Sequence, residues 1–348
     1  MFVFPGQGSQ WLGMATDLID ASPAFAAALQ ECADALAPHT DWDLHHALRG
    51  GSDAPDLERV DIVQPALWAV MISLTRMWET LGIHPAAVIG HSQGEIAAAH
   101  IAGILTLEDS ARIIALRSRL IAQHLAGHGA MASAALDADT LTHTYLPHHP
   151  DTHIAAHNSP HNTILSGPTH ALENLLTTLE NDRIRIRRIP VDYASHSPHV
   201  ETIHDQLHQA LASITPRPGH IPFHSTVTTT PLDHTHLTPD YWYQNLRNPV
   251  LFHPTIEKLL NTGHTTYIEP SPHPALTTPI QQTAETTNTP ALTLTTLRRN
   301  QGTLTHLLTA AADAWTHGLP INWHTLYTHT TPHHTPLPTY AFQRTRHW

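Results

Sequence analysis

The sequence predicts an α/β fold in two parts: a hydrolase-like core whose parallel sheet carries a nucleophile elbow, and an inserted ferredoxin-like small subdomain. Two stretches of the chain support this prediction. The apolar β-branched run at residues 88–89 enters the pentapeptide Gly-His-Ser-Gln-Gly at 90–94, and an alanine-rich helical pattern follows it. Residues 130–191 alternate between strand and helix patterns in the order β-α-β-β-α-β, which is the order of a ferredoxin-like unit.

The elements of the core follow from apolar periodicity and from the positions of glycine and proline. A short buried strand, Phe-Val-Phe, opens the chain and runs into the Gly-rich turn at residues 5–10. The expected elements are a strand at 2–4, a helix at 11–36, an irregular stretch at 37–60, an apolar helix at 63–81, a strand at 86–89, a helix at 107–126, and, beyond the insertion, a helix at 197–214 and a strand at 267–269.

The inserted unit has strand and helix patterns of its own. Its expected elements are strands at 130–136, 153–157, 163–166 and 183–191, with helices at 138–145 and 169–180. An Asn-Ser-Pro-His-Asn sequence between the two middle strands is typical of a turn.

The expected domain organisation places the core at 1–128 and 196–300, the small subdomain at 129–195 and a linker at 301–348. The linker begins with a helix at 304–316 and continues as a segment rich in Thr, His and Pro. Such a composition has little core-forming pattern, so we expect this segment to pack along a neighbour or to remain partly extended.

Composition excludes several classes of function. The chain has 348 residues, 41% of them apolar, and a formal net charge of −12. Its basic residues, including the single lysine Lys258, are scattered, so neither nucleic-acid binding nor a polybasic membrane patch is expected. The apolar stretch at 96–107 is too short to span a bilayer. The single cysteine, Cys32, and an amino terminus without a charged leader predict a cytoplasmic protein in a reducing compartment.

Histidine is unusually frequent, with 33 residues. The pairs at 45–46, 148–149 and 333–334 lack the acidic or cysteine companions of a metal site. We therefore expect no metal and interpret most of these histidines as surface residues.

The pentapeptide at 90–94 predicts an activated serine. A sharp strand-to-helix turn exposes the Ser92 hydroxyl and directs the Gln93 N–H toward a developing oxyanion. The structural alternative is a serine that only caps a helix between two glycines.

Several motifs occur in an order that resembles malonyl-type acyltransferases. They are Phe-Pro-Gly-Gln-Gly-Ser-Gln at 4–10, Gln-Pro-Ala at 64–66, Gly-His-Ser-Gln-Gly at 90–94, Arg117, Asn-Ser-Pro at 158–160 and Tyr-Ala-Ser-His at 193–196. More closely, the chain resembles the acyltransferase domain of modular type I polyketide synthases from residue 2 to about 300. The tail resembles the linker that follows this domain.

The resemblance implies roles for residues that composition could not select. Ser92 matches the nucleophile and His196 its base. The backbone N–H groups of Gln7 and Gln93 match the oxyanion donors. Arg117 matches the arginine that pairs with the free carboxylate of a malonyl-class substrate, for which a planar guanidinium is well suited.

The remaining implied residues surround these groups. Backbone carbonyls in the segment that contains Asn248, Val250 and Leu251 are expected to orient His196. Gln64 is expected to line the substrate pocket, and further pocket positions are His91 and Asn158. An Asn-Ser-Pro sequence also makes an ordinary turn, so the role of Asn158 stays open.

The motif at 193–196 bears on the extender unit. Family members that load methylmalonyl units carry Tyr-Ala-Ser-His there, whereas malonyl loaders usually carry His-Ala-Phe-His. Tyr193 and Ser195 therefore imply a methylmalonyl substrate, with Ser195 leaving room for the methyl branch. Gln93 also matches methylmalonyl loaders. Since one methyl group provides only about 1–3 kcal/mol of discrimination, a malonyl-specific enzyme is the alternative.

The implied reaction is ping-pong transfer from acyl-CoA, through a seryl ester, to the phosphopantetheine thiol of an acyl carrier protein. The expected partners are methylmalonyl-CoA or malonyl-CoA, the carrier protein, and the neighbouring ketosynthase and modifying domains of one multienzyme. No resident cofactor is expected. The other functional alternatives are a serine thioesterase or hydrolase and a structural module that has lost activity.

Overall fold

A computed structural model describes residues 1–327 together with positions 336, 338, 339, 341, 345 and 346. Most of the predicted linker beyond residue 327, and the histidine pair at 333–334, lie outside the described residues.

Two sheets organise the chain. The strands of the described part are β1 (Phe2–Phe4), β2 (Val88–Gly90), β3 (Ala130–Ala134), β4 (His153–Ser159), β5 (Asn162–Gly167), β6 (Ile186–Ile189), β7 (Phe223–His224), β8 (Pro231–Leu232), β9 (Thr266–Glu269) and β10 (Leu292–Thr295). The larger sheet has the order β10-β9-β1-β2-β7-β8, and its pairs are parallel except β7 with β8. The parallel core predicted from the sequence is confirmed.

The helices surround the larger sheet or cover the smaller one. They are α1 (Thr16–Ala21), α2 (Pro23–Leu36), α3 (Leu44–Arg49), α4 (Val60–Thr80), α5 (Gly94–Ile101), α6 (Leu107–His124), α7 (Ala138–Thr140), α8 (Thr169–Asn181), α9 (His204–Ala210), α10 (Pro239–Arg247), α11 (Phe252–Asn261), α12 (Thr277–Thr286) and α13 (Leu304–Thr316). Helix α4 is buried along nearly its whole length, against α2 and α6. None of the described helices combines the length and the apolar character needed to cross a membrane.

The smaller sheet is antiparallel, with the order β4-β5-β3-β6. This is the strand order that a β-α-β-β-α-β unit produces when its two halves interleave. Helix α8 packs on one face of the sheet through an apolar cluster that includes Ala132, Leu165 and Leu175. The opposite face carries Met131 and Ile189 and points toward the larger sheet. The predicted ferredoxin-like insertion is therefore confirmed.

Two predictions in the first sixty residues were wrong. The single helix at 11–36 is two helices, because Ser22 is extended, accepts a hydrogen bond from the Phe25 N–H and precedes Pro23, which has no N–H to continue a helix. The stretch at 37–60 is not wholly irregular. Asp43 caps α3 by accepting from the His46 N–H, and the apolar face of that helix is buried.

Two later helices are also shorter than predicted. The region 138–145 has only three α-helical residues before a π-helical segment at Leu141–Tyr145. The region 197–214 begins as a 3-10 segment, Pro198–Ile203, because Ser197 caps a tight turn through the His199 N–H. Only α9 is α-helical there.

Candidate active site

Ser92 lies in the sharp turn between β2 and α5 and has a φ of +54°. This left-handed conformation is strained for a non-glycine residue and is common at functional sites. The two flanking positions have no room for a side chain. A Cβ at Gly94 would lie 2.0 Å from the Phe4 carbonyl oxygen, and one at Gly90 would lie 2.2 Å from the Glu95 nitrogen. The turn therefore has the geometry of a nucleophile elbow, and the helix-capping alternative does not account for it.

His196 reaches this serine from the far side of the insertion. Its Nε2 lies 2.9 Å from Ser92 Oγ, and its Nδ1 lies 2.7 Å from the Asn248 carbonyl oxygen. A carbonyl can only accept, so Nδ1 carries the proton and Nε2 is the free acceptor that faces the hydroxyl. The His196 N–H also donates to the Leu246 carbonyl. No carboxylate is needed to fix the ring.

The segment predicted to orient His196 contributes through one residue. Asn248 supplies its carbonyl, but Val250 and Leu251 bond elsewhere. The Val250 backbone pairs with Ala155 and with His157, and the Leu251 N–H donates to Thr226. These two positions anchor the segment against the insertion and the larger sheet instead of contacting the imidazole.

His196 is held in its neutral form. Burial, with a further contribution from the positive charge of Arg117, lowers the pKa of His196 to about 3. A neutral imidazole can accept a proton from Ser92 at any ordinary pH. His91 is half-buried, loss of solvation lowers its pKa, and its Nε2 lies 2.8 Å from Asn158 Oδ1. The structure thus brings both of these predicted pocket residues to the elbow.

Arg117 is a buried cation beside the nucleophile. Its side chain is 1% exposed, one terminal nitrogen donates to Asn245 Oδ1 at 2.7 Å, and the other donates to Ser92 Oγ at 3.4 Å. Burial lowers its pKa to about 10, so it remains charged at neutral pH. Its Nε has no hydrogen-bond partner among the described residues. A buried guanidinium with a free donor is a strong anion-binding group.

Sequence reasoning missed the carboxylate that balances this charge. Glu95 is fully buried and accepts from Tyr241 Oη at 2.5 Å, from Asn245 Nδ2 at 2.8 Å and from Thr226. Burial raises its pKa, and these hydrogen bonds partly offset the rise. Asn245 therefore links Glu95 to Arg117. The available signal was a single acidic residue in helix α5, whose other residues are apolar except His100.

A cavity of about 160 Å³ opens over Ser92, and we call it the elbow pocket. The predicted residues that line it are Gln7, Gln64, His91, Ser92, Gln93, Asn158, Tyr193, Ser195 and His196. Apolar side chains from the small sheet, Met131, Ile164 and Ile189, form its roof. The pocket therefore has a polar floor and an apolar cover.

The polar floor contains donors and acceptors without partners. Tyr193 Oη donates to Gln7 Oε1 at 2.7 Å and lies 3.4 Å from Gln64 Nε2. Gln64 Oε1 and both amide atoms of Gln93 have no partner among the described residues. The backbone N–H groups of Gln7 and Gln93 are likewise free in the described part of the chain. Unpaired buried groups are costly, so this set is suited to a polar ligand.

One wall of the pocket is fixed by a second buried carboxylate that the sequence did not reveal. Glu269 accepts from the N–H groups of Ala275, Leu276 and Thr277, which precede or begin α12. Burial raises its pKa to about 7. Because Ala275 and Leu276 line the elbow pocket, Glu269 positions that wall.

Comparison with known proteins gives a consistent result. The family profile described as "Acyl transferase domain" matches residues 1–320. The acyltransferase domain from module 8 of the salinomycin polyketide synthase has a TM-score of 0.91 and 50% identity, over 93% of this chain and 76% of that one. This chain belongs to the acyltransferase domains of polyketide synthases. The resemblance noted from the motifs is confirmed.

Two curated relatives are much longer than this chain. Polyketide synthase GfsA from Streptomyces halstedii is 49% identical over 347 residues, which is 100% of this chain and 5% of that protein. Pikromycin polyketide synthase component PikAIII from Streptomyces venezuelae is 48% identical over 347 residues, again 100% of this chain but 22% of that protein. The acyltransferase domain thus spans a small part of each relative.

Among the described residues, no group of three or more His, Cys, Asp or Glu side chains could hold a metal ion. What the acyltransferase site does hold is a serine, a neutral imidazole, free backbone donors and a buried cation. This combination is suited to acyl transfer through a covalent ester.

Proposed function

We propose that this domain transfers a methylmalonyl group from CoA to the phosphopantetheine thiol of an acyl carrier protein. The observation that carries the proposal is Arg117, a buried cation whose terminal nitrogen Nη2 lies 3.4 Å from Ser92 Oγ and whose Nε has no partner among the described residues. In a malonyl-class substrate, one α-carbon separates the carboxylate from the thioester carbonyl. When that carbonyl lies at Ser92, the carboxylate therefore lies near Arg117. The unpaired Oε1 of Gln64 and the unpaired side-chain amide of Gln93 add further polar contacts.

The chemistry follows from the geometry of the dyad. Ser92 Oγ attacks the thioester carbonyl while His196 Nε2 takes its proton, and the N–H groups of Gln7 and Gln93 stabilise the oxyanion. The C–S bond then breaks, and the departing CoA sulfur takes the proton from His196. In the second half of the reaction, the carrier thiol gives its proton to His196 and its sulfur attacks the carbonyl of the seryl ester. The bond between Ser92 Oγ and the acyl group then breaks, and Ser92 Oγ takes the proton back from His196.

The preference for a methyl branch is supported by Ser195. This small side chain lines the elbow pocket next to His196 and is 6% exposed. Phenylalanine at this position would occupy space beside the α-carbon. Since one methyl group contributes about 1–3 kcal/mol, the expected preference over malonyl-CoA is about fivefold to 150-fold.

A competition assay tests this proposal. The domain, a holo carrier protein and equal concentrations of methylmalonyl-, malonyl- and acetyl-CoA are mixed, and the acylated carrier is quantified by intact mass. Methylmalonyl carrier should dominate and acetyl carrier should be negligible. Dominant malonyl carrier would contradict the methyl preference. Acetyl loading at an equal rate would contradict the role of Arg117, and free acid without acyl carrier would instead indicate a hydrolase.

Partners beyond the carrier protein remain part of the proposal. We infer that a ketosynthase and downstream modifying domains adjoin this domain in one multienzyme, as the small share of each relative's length suggests. A cytoplasmic location and the lack of a resident cofactor or metal stay predictions. The location rests on the single cysteine, Cys32, which is buried as a free thiol.

A further inference from the structure

A second cavity, of about 470 Å³, adjoins the elbow pocket, and the two share the lining residue Ala275. We call it the arginine groove. Its polar lining consists mainly of Ser133, His161, Asn162, Arg185, Arg187 and Gln282. It lies between the small sheet and helix α12, so a ligand whose reacting end is at Ser92 can leave the pocket through this groove.

One face of the small sheet forms both cavities. In a strand, alternate residues share a face, so Ile189, Arg187 and Arg185 point to the same side. Ile189 lines the elbow pocket, whereas the two arginines line the groove. Arg187 pairs with Ser133, and the Arg185 carbonyl accepts from the Ala135 N–H, so regular pairing extends through this stretch. Arg185 is therefore roughly 13 Å along the strand from the pocket roof.

The guanidinium groups of Arg185 and Arg187 are exposed and have no ion-pair or hydrogen-bond partner in the described part of the chain. Arg188, on the other face of the strand, differs because its guanidinium is paired with Glu173 and Glu180. No Asp or Glu is among the described residues that line the groove. In a chain of net charge −12, this is an unneutralised cationic site.

The opposite side of the elbow pocket has the reverse charge. A cleft of about 590 Å³ shares Gln7, Val191 and Tyr193 with the pocket. Its carboxylates are Asp56, Glu58, Asp61 and Asp192, and its single basic residue, Arg59, is paired with Asp61. An anionic ligand is repelled from this cleft and attracted to the arginine groove, which gives the ligand one preferred direction.

We propose that Arg185 and Arg187 bind the phosphate at the end of the pantetheine arm of the acyl donor or acceptor. This inference rests on the proposed function, since it assumes a thioester at Ser92. CoA carries a diphosphate and a 3′-phosphate beyond the arm, and a carrier protein carries one phosphodiester there. Both present the same anionic chemistry to the two guanidiniums, which bind phosphate oxygens by paired hydrogen bonds.

The donor half is tested with two methylmalonyl thioesters, one of CoA and one of pantetheine, which has no phosphate. The variant Arg185→Gln/Arg187→Gln should lower kcat/KM for self-acylation by the CoA ester about tenfold, which corresponds to about 1.4 kcal/mol shared by two exposed ion pairs. The rate with the pantetheine ester should not change. Arg183→Gln is the control for charge: this exposed arginine lies outside the groove, and its replacement removes one of the two positive charges that the double variant removes.

The acceptor half is tested separately, starting from acyl-enzyme already formed. Transfer to holo carrier protein is compared with transfer to free pantetheine in the same variants. If the double variant loses rate only in acylation by the CoA ester, the site binds the phosphates of CoA. If it loses rate only in transfer to the carrier protein, the site binds the carrier's phosphodiester. Equal loss with phosphate-bearing and phosphate-free substrates, no loss in either arm, or the same loss in Arg183→Gln overturns the inference. Absence of acylation with every thioester in the unaltered protein would instead refute the proposed function.

Discussion

Replacing Arg117 with alanine separates recognition of the substrate carboxylate from the chemistry of the thioester. Methylmalonyl-CoA and propionyl-CoA differ only in that carboxylate, so each substrate is the other's control. The guanidinium is buried beside Ser92, and its Nε is free. A charge-assisted hydrogen bond at such a site is worth about 1.5–3 kcal/mol. The variant should therefore lose roughly 10- to 150-fold more kcat/KM with methylmalonyl-CoA than with propionyl-CoA.

The ratio of the two losses is the quantity to measure. Truncation also removes a partner from Asn245 and a contact from Ser92, so some loss is common to both substrates. The loss that is common to both substrates cancels when the loss in kcat/KM with methylmalonyl-CoA is divided by the loss with propionyl-CoA. The assay is the rate of covalent acylation of the domain, followed by intact mass at substrate concentrations far below KM. An equal loss with both thioesters would refute the assignment and leave Arg117 a structural residue.

The same variant should change the pH dependence. The charge of Arg117 is one cause of the low pKa of His196. Without that charge the pKa of His196 rises, and the neutral base is lost at a higher pH. Acylation by propionyl-CoA should therefore decline earlier on acidification in Arg117→Ala than in the unaltered domain. Stopped-flow acylation rates measured over a pH series test this prediction. Rates that decline at the same acidic pH in Arg117→Ala and in the unaltered domain would contradict it.

Three further substitutions test other parts of the site. Asn245→Ala removes the link between Glu95 and Arg117, so the free energy of unfolding in urea should fall by about 3 kcal/mol and the preference for methylmalonyl- over propionyl-CoA should weaken. A preference that stays unchanged would contradict this positioning role. Ser195→Phe with Tyr193→His should shift competitive transfer toward malonyl-CoA, and an active double variant with the original ratio would contradict it. Gly94→Ala places a Cβ against a backbone carbonyl and should cost about 3 kcal/mol or more of stability, so a fully stable variant would refute the close-approach argument.

The fold could be predicted where local patterns coincide with tertiary structure. The elbow and the ferredoxin-like insertion each follow from short stretches with clear periodicity. Strand β7 has only two residues and too little pattern to be recognised. Helices α10, α11 and α12 also escaped prediction. Helix α12 consists largely of Thr and Gln, which have no strong apolar face, and its position depends on distant Glu269.

The site could be predicted where side chains perform the chemistry, but not where the backbone does. Ser92 and Arg117 have residue types that can be read in a motif. The carbonyl that orients His196 could come from any residue, so the sequence indicated a segment and only Asn248 proved to contact the ring. Glu95 was missed because a buried acid in an apolar helix reveals its partners only after the chain has folded.

The most direct test of the central claim is to locate the acyl group. The domain is mixed with methylmalonyl-CoA, quenched in acid, digested and mapped by tandem mass spectrometry, with Ser92→Ala treated in parallel. The account predicts a methylmalonyl adduct on Ser92 in the unaltered protein and no adduct in the variant, whose circular dichroism should remain unchanged. An adduct on another residue, or one that persists in folded Ser92→Ala, would contradict it.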